Sequence, residues 1–182
     1  MDADGLTFAC ATSAEERVAR RAGLNAVRVG LGVANGVPEG RLVSFGVAGS
    51  LGELQVGEVL DATRVVDETG ATLWEGPGLG VRGARAGVLL GGNVLVHDAA
   101  QRDQLRAASG ADAVDMESGT LARSGRLAGV VRAISDDASS AVEGLDTGYW
   151  SRSTVRTCKR ELTRAMISTR RLARRPAGCC FW

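Results

Sequence analysis

The chain has little aromatic residue, proline or histidine: of 182 residues, 4% are aromatic, three are Pro and one is His. That single histidine, His97, cannot complete a zinc set, and the four cysteines (Cys10, Cys158, Cys179, Cys180) show no CxxC spacing. Neither a structural metal nor a disulfide framework is expected. No nucleophile-elbow motif accompanies His97, which argues against a Ser-His-Asp hydrolase. Apolar runs such as residues 86–90 fall far short of the roughly 20 residues that span a bilayer. The start, Met1-Asp2-Ala3-Asp4, has no basic region followed by an apolar core, so a cytoplasmic location is expected.

An apolar content of 45% and 25 glycines describe an ordinary, turn-rich globular chain, long enough for one domain with a tail. The net charge of +1 conceals an asymmetry. Residues 151–176 hold nine Arg or Lys against the lone Glu161, a net +8, which leaves −7 on the remainder. The division is therefore an acidic domain over residues 1–150 and a basic C-terminal helix and tail over 151–182.

Apolar runs bounded by turn residues predict strands at 6–11, 26–31, 42–48, 56–66, 86–90, 112–116 and 128–134. Helices are predicted from Ser13, from the Asp98 cap to residue 108, and over 118–125. Ser13 with Glu16 three residues on reads as a capping box, which leaves Glu15 without a structural duty. Residues 32–40 and 76–80 read as loops. This alternation predicts an α/β fold whose central sheet is mixed, largely parallel and flanked by helices. Over 155–173, Val155, Cys158, Leu162, Ala165, Met166 and Leu172 form an apolar stripe on an Arg-studded helix. Such a helix packs its stripe on the sheet, and its basic face suits solvent, anionic lipid or a partner. Few aromatics interleave its charges, so nucleic-acid binding is not expected.

In open α/β sheets ligands lie beyond the carboxyl ends of strands. Three acidic groups fall there: Glu15 and Glu16, Asp115 and Glu117 around Met116, and Asp136 with Asp137. The turn Gly46-Val47-Ala48-Gly49 adds a place where backbone can approach a ligand closely. In order, Val43-Ser44-Phe45-Gly46-Val47-Ala48-Gly49-Ser50-Leu51, Val56-Gly57-Glu58-Val59-Leu60, Ala113-Val114-Asp115-Met116-Glu117-Ser118 and Val131-Arg132-Ala133-Ile134-Ser135-Asp136 resemble the successive signatures of the nucleoside phosphorylase superfamily. Within it, they look closest to the branch of methylthioadenosine/S-adenosylhomocysteine nucleosidases and hopanoid-associated phosphorylases. The chain is shorter than is usual there and lacks the helix that normally precedes the glycine turn.

The resemblance implies cleavage of a purine N-glycosidic bond, passing through an oxocarbenium-like sugar. Glu117 matches the carboxylate that accepts the ribose hydroxyls, and Met116 the residue that packs on the sugar. Asp136 matches the acid that protonates purine N7, with Ser135 orienting it. Gly46, Val47 and Ala48 form the glycine turn, Val96 falls where backbone groups hold the adenine edge, and Leu95 where an aromatic often stacks. Glu15 takes the position that activates water in the hydrolytic branch. A phosphorolytic enzyme instead needs converging arginines, for which Arg28 and Arg41 are the candidates. The expected substrate is a 5′-substituted adenosine of the methylthioadenosine, adenosylhomocysteine or adenosylhopane type, cleaved by hydrolysis without cofactor or metal. A homodimer is implied, with peripheral membrane contact through the basic helix. The alternatives are phosphorolysis, and a shortened, non-catalytic relative that binds a nucleoside or a partner.

Overall fold

Two ten-residue strands, β3 (Arg41–Ser50) and β8 (Leu127–Asp136), carry the centre of the molecule. Both are nearly continuous apolar runs, the pattern of strands covered on both faces. They lie parallel, with Phe45 opposite Val131 and Ala48 opposite Ile134. The computed structural model describes residues 5–92, 96, 98–136, 156, 157 and 160–164. Around this pair stand β1 (Leu6–Cys10), β2 (Ala26–Arg28), β4 (Val59–Val66), β5 (Thr72–Glu75), β6 (Arg85–Gly91) and β7 (Ala113–Asp115). The described helices are α1 (Ser13–Arg21), a 3₁₀ turn (Leu31–Val33), α2 (Ala99–Ser109), α3 (Ser118–Arg123) and the helical residues 156, 157 and 160–164.

The sheet is mixed, as the alternation of elements implied, but it also closes on itself. β3 pairs with β7, β7 with β6, β6 with β4, β4 with β8, and β8 returns to β3. This five-stranded ring leaves β1 and β2 as a parallel extension from β3, and β5 as an edge on β4. Periodicity carries no sign of closure, because every strand of the ring reads as an ordinary buried strand. β5 went unforeseen: Thr72, Leu73, Trp74 and Glu75 are all partly or fully exposed, so they form no apolar run. The long strand expected from residue 56 starts at Val59.

Side chains alternate along β8 between two cores. Val131 and Ala133 join Phe8, Val43 and Phe45 on the side of α1, while Val130 and Ile134 join Leu42, Leu60 and Leu121 on the side of α3. Phe8 and Phe45 meet edge to face at 5.8 Å. α3 sits directly on β6, because Gly91 and Gly119 bring the two backbones into contact and a Cβ on either would collide. Leu162, 1% exposed, packs into the α1-side core, the one residue of the predicted apolar stripe that the described residues include. Val155, Cys158, Ala165, Met166 and Leu172 of that stripe lie outside the described residues.

Candidate functional site

Four consecutive residues of β3, 47–50, touch nearly every polar side chain of interest. The first is Glu15. Thr12, extended at φ −116° and ψ 158°, caps α1, and its Oγ1 accepts the Glu15 N–H at 3.2 Å. Glu15 Oε2 accepts the Thr12 N–H at 2.7 Å and the Thr12 hydroxyl at 2.9 Å, and Oε1 accepts the Val47 N–H at 3.2 Å. The capping box is thus Thr12 with Glu15, correcting the Ser13 and Glu16 assignment. Ser13 is already the first helical residue. Glu16, one position round the helix, instead pairs with Arg20 at 2.7 Å. Glu15 is not free of structural duty: it is buried and ties the start of α1 to β3. Gly46 makes this approach possible, since a Cβ there would land on the Glu15 carboxylate and the Arg132 guanidinium.

Arg132 is the hub of the site and was given no role from the sequence. Its side chain is 1% exposed, on the α3 side of β8. Nη2 pairs with the Asp115 carboxylate, lies 3.6 Å from Glu117 Oε2 and donates to Ser44 Oγ at 2.5 Å. Nη1 donates to the Val47 carbonyl at 3.3 Å. Its Nε is buried with no hydrogen-bond partner among the described residues. Ser118 completes the group, its Oγ 2.5 Å from Asp115 Oδ2 and 2.9 Å from Ser44 Oγ. The legible signal was a charged residue inside the otherwise apolar run Val130-Val131-Arg132-Ala133-Ile134, which a strand tolerates only where that charge is compensated.

Glu117 stands beside this hub at the start of α3, buried, with Oε1 accepting the Gly32 N–H at 3.0 Å. Burial pushes its carboxyl above the usual glutamate range and Asp115 adds to the effect, against the opposing pull of Arg132 and of the Gly32 N–H. Burial also opposes the Arg132 charge, but Asp115, Glu117 and Glu15 together outweigh it and hold the guanidinium protonated. Burial, with Glu15 nearby, pushes the Cys10 thiol far up, so this cysteine is inert.

One step along β3 lies a second group. The Ser135 hydroxyl is 2.5 Å from Asp136 Oδ1 and 3.0 Å from the Ala48 carbonyl. Asp136 Oδ2 accepts from Arg102 Nη2 at 2.8 Å, and Arg102 Nη1 donates to the Ser50 carbonyl at 2.6 Å. A Cβ on Gly49 would lie 3.0 Å from Asp136 Oδ2, so glycine leaves room for the carboxylate against the strand. From Val47 to Gly49 a strand advances only about 7 Å. Glu15, Glu117, Ser135 and Asp136 therefore gather around one strand end, together with Gly46, Val47 and Ala48. Asp136 was expected to have Asp137 as its neighbour, but Asp137, like Asn93, Leu95 and His97, lies outside the described residues. Met116 is half-buried beside Glu117, and the Val96 side chain packs in a core with Leu51 and Leu90.

Arg28 and Arg41, the candidate phosphate ligands, do not converge. Arg28 pairs with Cys10 at the carboxyl end of β1 and Arg41 with Leu6 at its amino end, and both are exposed. Elsewhere a cavity of about 630 Å³ is lined by Arg82, Arg85, Arg160 and Arg164. Among the described residues, no three His, Cys, Asp or Glu side chains are grouped as metal ligands, and no helix is long and apolar enough to cross a membrane.

No protein-family model matches the chain, and no curated protein matches it in sequence. Solved structures do. The Campylobacter jejuni 5′-methylthioadenosine/S-adenosylhomocysteine nucleosidase superimposes with a TM-score of 0.65 at 17% identity, over 91% of this chain and 99% of that one. A mutant of the Helicobacter pylori nucleosidase, with 5′-methylthioadenosine in its active site, gives 0.66 at 16% identity over 93% and 97%. A mutant futalosine hydrolase of Helicobacter pylori gives 0.61 at 14% over 92% and 97%. The chain shares their fold.

Proposed function

We propose that the protein cleaves the N-glycosidic bond of a purine nucleoside by hydrolysis, releasing adenine from a 5′-substituted adenosine. The observation that carries this reading is the gathering of Glu15, Glu117 and Asp136 around residues 47–50 of β3, Glu15 directly on Val47, Glu117 through Arg132, and Asp136 beside Gly49. In this reading Glu117 accepts the ribose hydroxyls and Met116 packs on the sugar. Asp136, oriented by Ser135, takes up a proton from solvent and passes it to purine N7, so that the base leaves neutral and Asp136 returns to its carboxylate form. Glu15 positions and activates water on the opposite face. Positive charge on the oxocarbenium-like sugar suits a site in which four carboxylates, Glu15, Asp115, Glu117 and Asp136, outnumber two buried guanidinium groups, Arg102 and Arg132. The separation of Arg28 from Arg41 supports water over phosphate as the nucleophile.

Purified protein incubated with methylthioadenosine, adenosylhomocysteine and adenosylhopane tests the reading. The expected result is free adenine and a 5-substituted ribose from at least one substrate, at a rate independent of added phosphate. Phosphate-dependent release with a sugar 1-phosphate overturns hydrolysis, and no adenine from any substrate overturns the reading itself.

One observation favours a second reading. Both oxygens of Glu15 and of Asp136 are already held by protein donors, as in a chain that keeps the fold and binds a nucleoside without turning it over. Thermal stabilisation by adenine with no product would select it. A homodimer follows from the resemblance, and sedimentation tests it. For the membrane contact, Arg82, Arg85, Arg160 and Arg164 outnumber Glu58 and Glu161 around one cavity, although Glu161 pairs with both Arg160 and Arg164. Flotation with anionic vesicles at low salt is the expected outcome, and failure to float removes that part.

A further inference from the structure

Arg102 lies on α2, where four other residues of the run Gln101-Arg102-Asp103-Gln104-Leu105-Arg106 are polar, and nothing in that pattern marks it as special. The fold buries it. Its side chain is 4% exposed, and a guanidinium is tolerated at that depth only if its charge and its donors are met. They are met at the second group of the candidate site: Nη1 on the Ser50 carbonyl at 2.6 Å and Nη2 on Asp136 Oδ2 at 2.8 Å. Asp136 is the one carboxylate paired with it among the described residues. The Ser135 hydroxyl holds the other oxygen at 2.5 Å, and Gly49 supplies the flat surface against which the carboxylate rests. A carboxylate fixed at both oxygens cannot turn about its Cβ–Cγ bond, and the planar fork of Arg bridges two acceptors that an ammonium cannot reach together.

We propose that Arg102 is a positioning residue that anchors Asp136 to the end of β3 and so sets the rate of base departure rather than the affinity for substrate. This inference rests on the reading of Asp136 as the proton donor. Arg102 is buried, and Nη1 and Nη2 both donate to protein atoms, the Ser50 carbonyl and Asp136 Oδ2. Its loss therefore falls on the step in which Asp136 acts, where small misplacements of a catalytic group weigh heavily.

The test measures kcat and KM for adenine release by the native protein, R102Q, R102K, R102A, D136N and the double variant R102Q/D136N. The expected result is a kcat lowered about 10-fold or more in R102Q and R102A with KM within about threefold of native. R102K retains a larger share of the native kcat than R102Q, and added guanidinium ion restores part of the R102A rate. The double variant is no slower than D136N, because the two residues act through one carboxylate. If R102Q does not fold, R102K carries the same comparison, since it keeps the charge and loses the bridge. A native kcat in R102Q, a loss confined to KM, or effects that multiply in the double variant overturns the inference while leaving the nucleosidase reading standing. Absence of adenine release by the native protein overturns that reading and the inference with it.

Discussion

One buried cation among several buried carboxylates is an unusual residue-scale arrangement. Arg132 pairs with Asp115, approaches Glu117 and feels Glu15, and among the described residues no second cation pairs with this group. Glu117 is the least compensated member, and burial raises its pKa. The native state therefore binds the Glu117 proton more tightly than the unfolded chain does. Its contribution to stability is complete below the ordinary glutamate range and is lost as pH rises through the raised value. Glu117→Gln does not titrate, so it is expected to be more stable than the native protein at neutral pH. Melting curves taken from neutral pH downward should show the difference closing as the native carboxyl protonates. The same substitution should raise KM, because an amide gives the ribose hydroxyls one acceptor instead of two. A variant that is less stable at neutral pH contradicts the pKa direction. Glu117 and Asp136 were legible in the sequence as motif residues. Arg132 and Arg102 were not, because their meaning lies in partners brought close only by folding: Arg102 and Asp136 are 34 residues apart.

At the scale of elements, β3 is both a core strand and the floor of the site. Its glycines Gly46 and Gly49, and Gly52 just beyond its end, recur every three residues and each face a charged side chain: Glu15 with Arg132, Asp136, and Arg106. The segment that the sequence marks as a glycine turn lies within β3, and at its glycines the protein's own carboxylates and guanidinium groups come close to the backbone. Gly46→Ala puts a methyl group on the Glu15 carboxylate and is expected to cost about 1–3 kcal/mol, measured by urea denaturation, because neither Glu15 nor Arg132 has room to retreat. Most strands were legible from apolar runs, with β3, β6 and β8 each extending beyond the predicted limits. The cap of α1 was misplaced by one residue because Thr12 and Ser13 are both good caps, and a Glu follows each at three residues. What decided between them is tertiary: Glu15 can reach Val47 while serving Thr12.

At the scale of the whole molecule, ring closure seats the long strands β3 and β8 against each other and leaves neither at an edge. β8 bridges β3 and β4, and β3 joins β1, β7 and β8. Their amides should exchange slowest with solvent, at the free energy of global unfolding, while β5 at the edge exchanges faster. Hydrogen-exchange mass spectrometry that finds β5 as protected as β8 contradicts a cooperative ring. Closure also explains why the site is precise although its residues come from both ends of the domain. Glu15 arrives from α1, Glu117 from the start of α3 and Asp136 from the last ring strand, all onto the end of β3. The decisive measurement is the rate of adenine release from methylthioadenosine by the native protein and by Asp136→Asn side by side. The expected result is release by the native protein and a fall of about 10²-fold in the variant, the share a general acid supplies. Equal rates in the two, or no adenine from the native protein, would contradict it.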